Sequence, residues 1–290
     1  MKNLINNKFF ILFFSPFVLG GITILSFPPF NFTFINFISF SILLFLIQIV
    51  KKKTKVKYRK KKSNRYFFYL GTTFGFSFFL FGNYWISISL THDDMFKDFI
   101  IFSLILIPLF LSLFFGLAIL VAGPFLKKNI SYILLFSLIF SLFEFLRGNI
   151  LTGFPWNLIA YSWSWSIEII QILSFIGTYA LSLISITFFC IPFLFFQNVI
   201  IKKNIIFFFI FLTFFISNYV YGSYKINNVK YSLDKNINIK VISPSFSLKN
   251  YNTEPEVKQL KRLIKISNPD KNKKTLFVWP EGIFYESYLQ

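Results

Sequence analysis

Glu281 is the residue of this chain whose surroundings best suit acid–base chemistry. It follows the apolar run from Thr275 to Trp279, which predicts a buried β-strand, and only Pro280 stands between them. Ligands of open α/β sheets bind at the carboxyl ends of the strands, which is where Glu281 falls. Trp279 and Pro280 would keep water from the carboxylate, which favours a general base. The alternative is an ordinary glutamate that faces solvent at a strand end.

Three further ionisable residues, Glu144, Arg147 and Glu168, lie in or beside apolar segments, where a charge is costly and often functional. Glu144 and Arg147 are three residues apart, so on a helix they lie on one face and can form an ion pair. One interpretation is that this pair only satisfies itself at the end of a membrane span. The other is that the two residues contact a lipid headgroup or a substrate.

An aromatic loop follows Arg147. Residues 148–156 read Gly-Asn-Ile-Leu-Thr-Gly-Phe-Pro-Trp, so glycine and proline interrupt the helix just before Phe154 and Trp156. Further aromatic residues follow at Tyr161, Trp163 and Trp165. Tyrosine and tryptophan at this density are typical of a membrane interface. The loop could form an aromatic belt, or it could line a groove through which a lipid enters.

The sequence predicts no metal site and no cofactor. It contains one cysteine, Cys190, and one histidine, His92, which stands in the segment Thr-His-Asp-Asp. A zinc site needs about four ligands, more than this short segment offers, so we interpret His92 as a solvated loop residue. Cys190 lies in an apolar span, where we expect a buried and inert thiol.

The composition predicts that these residues are arranged around a membrane. Of the 290 residues, 55% are hydrophobic and 46 are phenylalanine. Apolar stretches of about 18 residues or more recur, and each can cross ~30 Å of hydrocarbon. We therefore predict an α-helical polytopic membrane bundle of about seven spans. They fall at residues 9–26, 30–50, 66–90, 98–126, 130–148, 167–197 and 204–222.

The positive charge indicates which loops face the cytoplasm. The net charge is +19, and ten of the 30 lysines and arginines fall between Lys51 and Arg65, between two apolar spans. Such a run is typical of a cytoplasmic loop beside anionic headgroups and not of a nucleic-acid site. If the N-terminus is cytoplasmic, the cytoplasmic segments up to residue 222 hold 16 basic residues and the opposite loops hold two. This predicts that the segment after residue 222 lies on the opposite side.

The residues after the last span are polar and predict a different kind of structure. We divide the chain into a membrane bundle (1–222), a linker (223–238) and a partial α/β domain (239–290). The pattern predicts a strand over 237–243, an amphipathic helix over 254–266 and a strand over 275–279. Strand, helix, strand is the beginning of an α/β layer. Half a layer leaves strand faces uncovered, so we expect residues 239–290 to be poorly packed.

Several motifs, in this order, resemble the apolipoprotein N-acyltransferases, bacterial inner-membrane enzymes of lipoprotein biosynthesis. The motifs are Ser26-Phe-Pro-Pro-Phe30, Gly75-Phe76 with Gly82-Asn-Tyr-Trp85, Glu144-Phe-Leu-Arg-Gly148 with Leu151-Thr-Gly-Phe-Pro-Trp156 and Tyr161-Ser162, Gly177-Thr-Tyr179, and Trp279-Pro-Glu281. The pair formed by the third group is specific, whereas most of the others are weak alone. Together they extend from about residue 15 to the end of the chain.

The resemblance implies a membrane bundle followed by a periplasmic nitrilase-like domain with a Glu–Lys–Cys triad. It implies that a thiol takes an acyl chain from a phospholipid and passes it to the N-terminal diacylglyceryl-cysteine of an apolipoprotein. Glu281 matches the glutamate of the triad, and the lipid-facing aromatic loops of the family match Phe154 and Trp156. Tyr251 keeps an aromatic residue where the family often has a tryptophan. The expected location is the bacterial inner membrane, with a cytoplasmic N-terminus and a periplasmic C-terminal segment.

The sequence also departs from the family. The lysine and the cysteine of the triad have no counterpart in residues 1–290, and Cys190 lies in a span on the other side of the membrane from Glu281. We therefore expect a C-terminally truncated fragment that is inactive alone. One alternative is a split or decaying enzyme that acts only as a membrane anchor. Another is a small-solute transporter that uses Glu144, Arg147 and Glu168 as an ionic path, although no inverted repeat is visible.

Overall fold

The computed structural model describes residues 7–55, 60–92, 94–196, 201–228, 237–244, 255–270 and 272–280. Glu281 and Tyr251, two of the predicted site residues, lie outside the described residues. The chain divides into two compact units. The first contains residues up to 88 and residues 99–228, and the second contains residues 89–98 and those from 229 onward.

Within the described residues, the first unit is a bundle of seven longer helices. They are α1 (Phe10–Ser26), α2 (Ile35–Lys55), α3 (Lys60–Asn83), α4 (Ile100–Ala122), α5 (Ile130–Asn149), α6 (Leu173–Cys190) and α7 (Ile201–Asn228). Short helical turns join them at Trp85–Ile88, Gly123–Phe125, Ile159–Trp163, Ile167–Ile170 and Pro192–Phe195. α6 ends just before Pro192, which begins the next turn because proline suits the first position of a helix.

The predicted helical membrane bundle is confirmed, but the predicted count of seven spans is not. Among the described residues, five helical segments are long and apolar enough to cross a membrane. They are Ile35–Thr54, Asp94–Phe125, Ile130–Asn149, Leu173–Phe195 and Ile201–Asn228. α1 is apolar but shorter, and α3 begins with basic residues that lower its mean hydropathy.

Phenylalanine rings and glycines make the interior of the bundle compact. Phe115 of α4 is fully buried, and its ring centroid lies 5.1 Å from that of Phe79 in α3 and 4.6 Å from that of Phe140 in α5. A Cβ atom on Gly71 would come within 2.6 Å of the Phe115 carbonyl oxygen, so only glycine allows α3 and α4 to approach so closely. Small residues at such crossings are a common device of membrane helices.

The second unit contains a β–α–β arrangement. Strands β1 (Ile237–Val241) and β2 (Lys274–Val278) pair in parallel, and α8 (Glu256–Ser267) connects them. The predicted order of strand, helix and strand is therefore confirmed. Lys240 Nζ donates to the carbonyl oxygens of Ser267 and Asn268 at 3.2 and 3.1 Å and so satisfies the end of α8.

The prediction that the second strand is buried is wrong. Ile239 and Leu276, which are partners in the register, are 65% and 55% exposed, and their neighbour Val241 is 76% exposed. α8 lies on the other face, where Trp279 Nε1 donates to Ser267 Oγ at 3.0 Å. A single helix covers only one face of a two-stranded sheet, so the apolar residues of the second face stay exposed.

Candidate functional site

The loop of residues 150–166, between α5 and α6, contains most of the described candidate residues. It turns back at once after α5, because the Phe154 N–H donates to the Arg147 carbonyl oxygen at 2.9 Å. Leu151 and Gly153 have positive φ angles of 60° and 74°, so the chain uses left-handed backbone at this turn. Only glycine fits at position 153, since a Cβ atom there would overlap the Gly148 carbonyl oxygen.

Arg147 binds this loop from inside the bundle. Its Nη1 atom donates to the carbonyl oxygens of Phe154 and Trp156, each at 2.7 Å. The side chain is only 1% exposed, and its Cζ atom lies 4.9 Å from the centroid of the Phe79 ring. Charge-assisted hydrogen bonds of this kind are about twice as strong as neutral ones. Arg147 therefore determines where Phe154 and Trp156 lie.

Glu144 binds the same loop one step further along. It is fully buried, and its Oε1 atom accepts a hydrogen bond from the Ile159 N–H at 3.0 Å. The ion pairs of the described residues include Lys97 with Asp94 and Lys273 with Asp270, but not Glu144 with Arg147. Glu144 and Arg147 therefore do not form the ion pair that their spacing suggests. Each side chain instead makes hydrogen bonds to the backbone of the loop.

Four neutral side chains of the surrounding helices complete the attachment of the loop. Ser182 Oγ of α6 accepts from the Ala160 N–H at 3.0 Å, and Ser185 Oγ accepts from Trp163 Nε1 at 2.9 Å. Asn83 Oδ1 at the end of α3 accepts from Asn157 Nδ2 at 2.9 Å. Thr33, just before α2, donates to the Ser162 carbonyl oxygen and accepts from Trp165 Nε1, both at 2.7 Å. α3, α5, α6 and the turn just before α2 thus all contribute to the site.

Sequence reasoning missed most of these neutral partners. Asn83 lies inside one of the family motifs, but two serines in an apolar helix and a threonine in the turn before another carry no visible signal of their role. Tyr161 is predicted only as a member of a motif and of the aromatic loop, yet it interacts electrostatically with Glu144 and Arg147. Burial, and then the neighbouring Tyr179 and Glu144, raise the pKa of the Tyr161 phenol, so its hydroxyl keeps its proton.

The loop presents two tryptophans on its surface. Trp156 is 53% exposed and stacks edge-on against Trp85, with the ring centroids 5.5 Å apart. Trp165 is 50% exposed, while Phe154 is half-buried and packs against the core. Large aromatic rings that are half wet and half apolar are typical of the membrane–water interface.

The other candidate residues, Glu168 and Cys190, are not part of the loop clamp, the name we give to Glu144 and Arg147 with Phe154 and Trp156. Glu168 Oε2 accepts from Ser166 Oγ at 2.9 Å at the start of the short helix Ile167–Ile170. Cys190 is fully buried at the end of α6. Among the described residues, no group of three His, Cys, Asp or Glu side chains could hold a metal ion.

The fold and the loop define a class, a polytopic helical membrane protein whose buried charges hold an aromatic interfacial loop. A family model described as the apolipoprotein N-acyltransferase N-terminal domain matches residues 19–191, which include the entire 150–166 loop. The chain therefore belongs to the apolipoprotein N-acyltransferase family.

Curated relatives are named after the same enzyme. The chain is similar to "Apolipoprotein N-acyltransferase" of Rickettsia prowazekii (strain Madrid E), with 45% identity over 119 residues, or 40% of this chain and 23% of the relative. It is similar to the protein of that name from Brucella melitensis biotype 1, with 32% identity over 179 residues, or 61% of this chain and 33% of the relative. The matched part thus spans 23% to 33% of the length of these relatives.

Proposed function

We propose that this chain provides the membrane bundle of an apolipoprotein N-acyltransferase, together with the first part of its nitrilase-like domain. One observation carries the proposal: the residues that form the loop clamp, Glu144 and Arg147 with Phe154 and Trp156, all lie inside the segment that matches the family. The proposed boundaries are 1–222 for the bundle, 223–238 for the linker and 239–290 for the partial domain.

In the proposed reaction the enzyme moves one acyl chain in two steps. A cysteine thiolate attacks an ester carbonyl of a phospholipid, which forms a thioester and releases a lysophospholipid. The α-amino group of a diacylglyceryl-cysteine then attacks the thioester, which forms an amide and returns the thiol. Glu281 would accept the proton of the thiol. Phe154 and Trp156 would contact the phospholipid at the interface, and Tyr251 would add an aromatic contact.

Residues 1–290 contain no thiol that could perform this chemistry. The single cysteine, Cys190, is fully buried inside the bundle. A thiol enclosed in this way is structural and inert, and it cannot reach a lipid ester. We therefore expect residues 1–290 by themselves to transfer no acyl chain.

The proposed location is the bacterial inner membrane, with seven spans, a cytoplasmic N-terminus and a periplasmic C-terminal segment. The charge distribution supports this topology, since 16 basic residues fall on the proposed cytoplasmic side and two on the other side, up to residue 222. Single-cysteine labelling would test it in a Cys190→Ser background. A cysteine at Ser63 should react only in permeabilised cells, and a cysteine at Ser164 should react in intact spheroplasts.

A chimera tests the proposed function. Residues 1–280 of this chain would be joined to the part of the Rickettsia prowazekii relative that begins at the glutamate equivalent to Glu281. The chimera would then be expressed in cells depleted of their own N-acyltransferase. Mass spectrometry of a lipoprotein N-terminus should show three acyl chains with the chimera and two with residues 1–290 alone.

Two controls make the result decisive. Changing the junction glutamate to glutamine should abolish acylation without changing the amount of protein in the membrane. A chimera that inserts normally but never acylates, next to a fully active relative, would contradict the proposal and leave the role of a membrane anchor.

A further inference from the structure

An apolar groove runs along α7, beside the first residues of α6. Its volume is about 340 Å³, and Phe214, Asn218 and Tyr221 of α7 form one wall. Residues between 172 and 176 form the other wall, where the Phe175 ring lies edge-on to Tyr221 with the centroids 5.8 Å apart. Ligand pockets of proteins begin at about 300 Å³, so the groove has room for part of a ligand.

A close helix contact and a break in α6 together open this groove. A Cβ atom on Gly222 would overlap the Glu168 carbonyl oxygen, so α7 lies directly against the short helix Ile167–Ile170. Gly177 then has non-helical backbone angles, φ 74° and ψ 171°, which separate residues 172–176 from the rest of α6. Residues 172–176 thus take a direction of their own and leave the groove between themselves and α7.

A lysine stands at one end of the groove. Lys225 lies one turn beyond Tyr221 on the same face of α7, and its Nζ atom donates to Ser174 Oγ at 3.2 Å. The same atom lies 5.8 Å from the centroid of the Phe175 ring. Both partners are neutral, and no acidic side chain among the described residues forms an ion pair with Lys225. The groove therefore ends at a positive charge that two neutral groups hold in place.

The length of α7 places this charge at the level of lipid headgroups. Lys203 and Lys225 are 22 positions apart in a helix that is long and apolar enough to cross a membrane. At about 1.5 Å per residue they are about 33 Å apart along the axis, close to the ~30 Å of a hydrocarbon core. Phe214 lies midway between them. The groove from Phe214 to Lys225 thus has the length of one leaflet.

We propose that this groove binds one anionic phospholipid, with an acyl chain along Phe214 and Tyr221 and the phosphate on Lys225. The apolar walls suit the acyl chain. The ammonium group has three N–H donors, of which Ser174 takes one, so it can also bind phosphate oxygens. None of the groove residues belongs to the loop clamp, and the bound lipid undergoes no reaction. It fastens residues 172–176 to α7.

Photo-cross-linking of the intact chain tests this site. Residues 1–290 would be placed in nanodiscs of dioleoylphosphatidylcholine with a small fraction of phosphatidylglycerol that carries a diazirine in one acyl chain. Peptide mass spectrometry should find several-fold more cross-link at residues 172–176 and 214–221 than at residues 205–210, an exposed apolar part of the same helix. Unlabelled phosphatidylglycerol should compete, whereas dioleoylglycerol, which lacks the phosphate, should not.

Substitutions of lysine separate a phosphate site from general contact with lipid. Lys225→Met should lower the cross-link in the groove about five-fold, which is the contribution of one lysine to the binding of an anionic lipid. Lys225→Arg should retain the cross-link, and Lys203→Met, at the other end of α7, is the matched control that should not change it. Even cross-linking along α7 in the unaltered chain, or an unchanged cross-link in Lys225→Met, would overturn the proposal.

A second pair of variants tests the position of the acyl chain. Ser217→Trp fills the groove and should lower the cross-link at residues 172–176. Val220→Trp adds the same ring at an exposed position of α7 outside the groove and should leave the cross-link unchanged. A cross-link that persists in Ser217→Trp would show that the chain lies elsewhere and would refute the site. Because the assay measures binding without turnover, its result does not depend on acyl transfer.

Discussion

The two units of this chain treat their polar and apolar groups in opposite ways. In the bundle, charged side chains as large as Glu144 and Arg147 are buried and bonded to the loop backbone. In the second unit, apolar side chains such as Ile239 and Leu276 are exposed. The bundle provides the hydrogen-bond partners of its own loop. The two-stranded sheet has one helix, which leaves the apolar side chains on one face of the strands exposed. Four predictions test this contrast.

The largest expected difference lies in hydrogen exchange. Amides in the middle of α5 should exchange roughly 10⁴-fold more slowly than those of β2, because a membrane helix opens far less often than a sheet with one uncovered face. Exchange would be followed by mass spectrometry on the chain in nanodiscs. Protection of residues 274–278 equal to that of α5 would break the contrast and show a well-packed second unit.

Removing the charge of Arg147 should produce the largest effect of a single substitution. Arg147→Met leaves the buried Glu144 charge uncompensated and two loop carbonyl oxygens unbonded, so it should lower the free energy of unfolding by about 3–5 kcal/mol. Thermal unfolding in detergent measures this loss. The control is Lys97→Met, which removes an exposed ion pair with Asp94 and should leave the unfolding temperature nearly unchanged, because water and salt screen such pairs. Equal losses of stability in the two variants would show that the burial of Arg147 does not increase its contribution to stability.

A substitution at the turn of the loop should produce a smaller loss. Gly153→Ala places a side chain at a φ angle of 74° and against the Gly148 carbonyl oxygen, so it should cost about 1–3 kcal/mol. Gly177→Ala is the matched control, because Gly177 has the same φ angle but nothing within 4 Å of the added Cβ. The two variants should differ in unfolding temperature. If they do not, backbone strain alone explains both losses.

The smallest effect is expected in the second unit. Lys240→Met removes two hydrogen bonds to the end of α8 from a partly exposed lysine, which should cost about 0.3–1 kcal/mol. The measurement is hydrogen exchange of α8, with Lys274→Met on the neighbouring strand as the control. Faster exchange only in Lys240→Met supports the capping role, and an equal change in both variants argues against it.

Much of the fold could be predicted because membranes impose strong patterns on sequence. The apolar runs predict a helical bundle, and each predicted span from 9–26 to 204–222 corresponds to a described helix. The count of seven spans remains a prediction, since in the part of the chain that the structure describes five segments meet the length and hydropathy that crossing requires. The order of strand, helix and strand after residue 237 was predictable from the spacing of the apolar residues alone.

The candidate site was predictable only in its parts. The spacing of Glu144, Arg147, Phe154 and Trp156 indicates residues that belong together. Spacing also predicts the wrong partner for the two charges, because residues three apart on a helix can reach each other directly. The structure shows that a loop folds back over the helix end and offers backbone atoms closer to each charge. The role of Glu281 and Tyr251 stays a prediction, since both lie outside the described residues.

The sequence by itself determined the class of this protein, the positions of its helices and the residues that mark its family. Those properties depend on composition, on the spacing of apolar residues and on short motifs, all of which are local features of the sequence. The tertiary structure alone decided what Arg147 and Glu144 bind and which face of the small sheet is covered. Both depend on contacts between segments that are distant along the chain, such as Thr33 with Trp165 and Asn83 with Asn157. Periodicity records which side of an element is apolar, but it does not record what packs against that side.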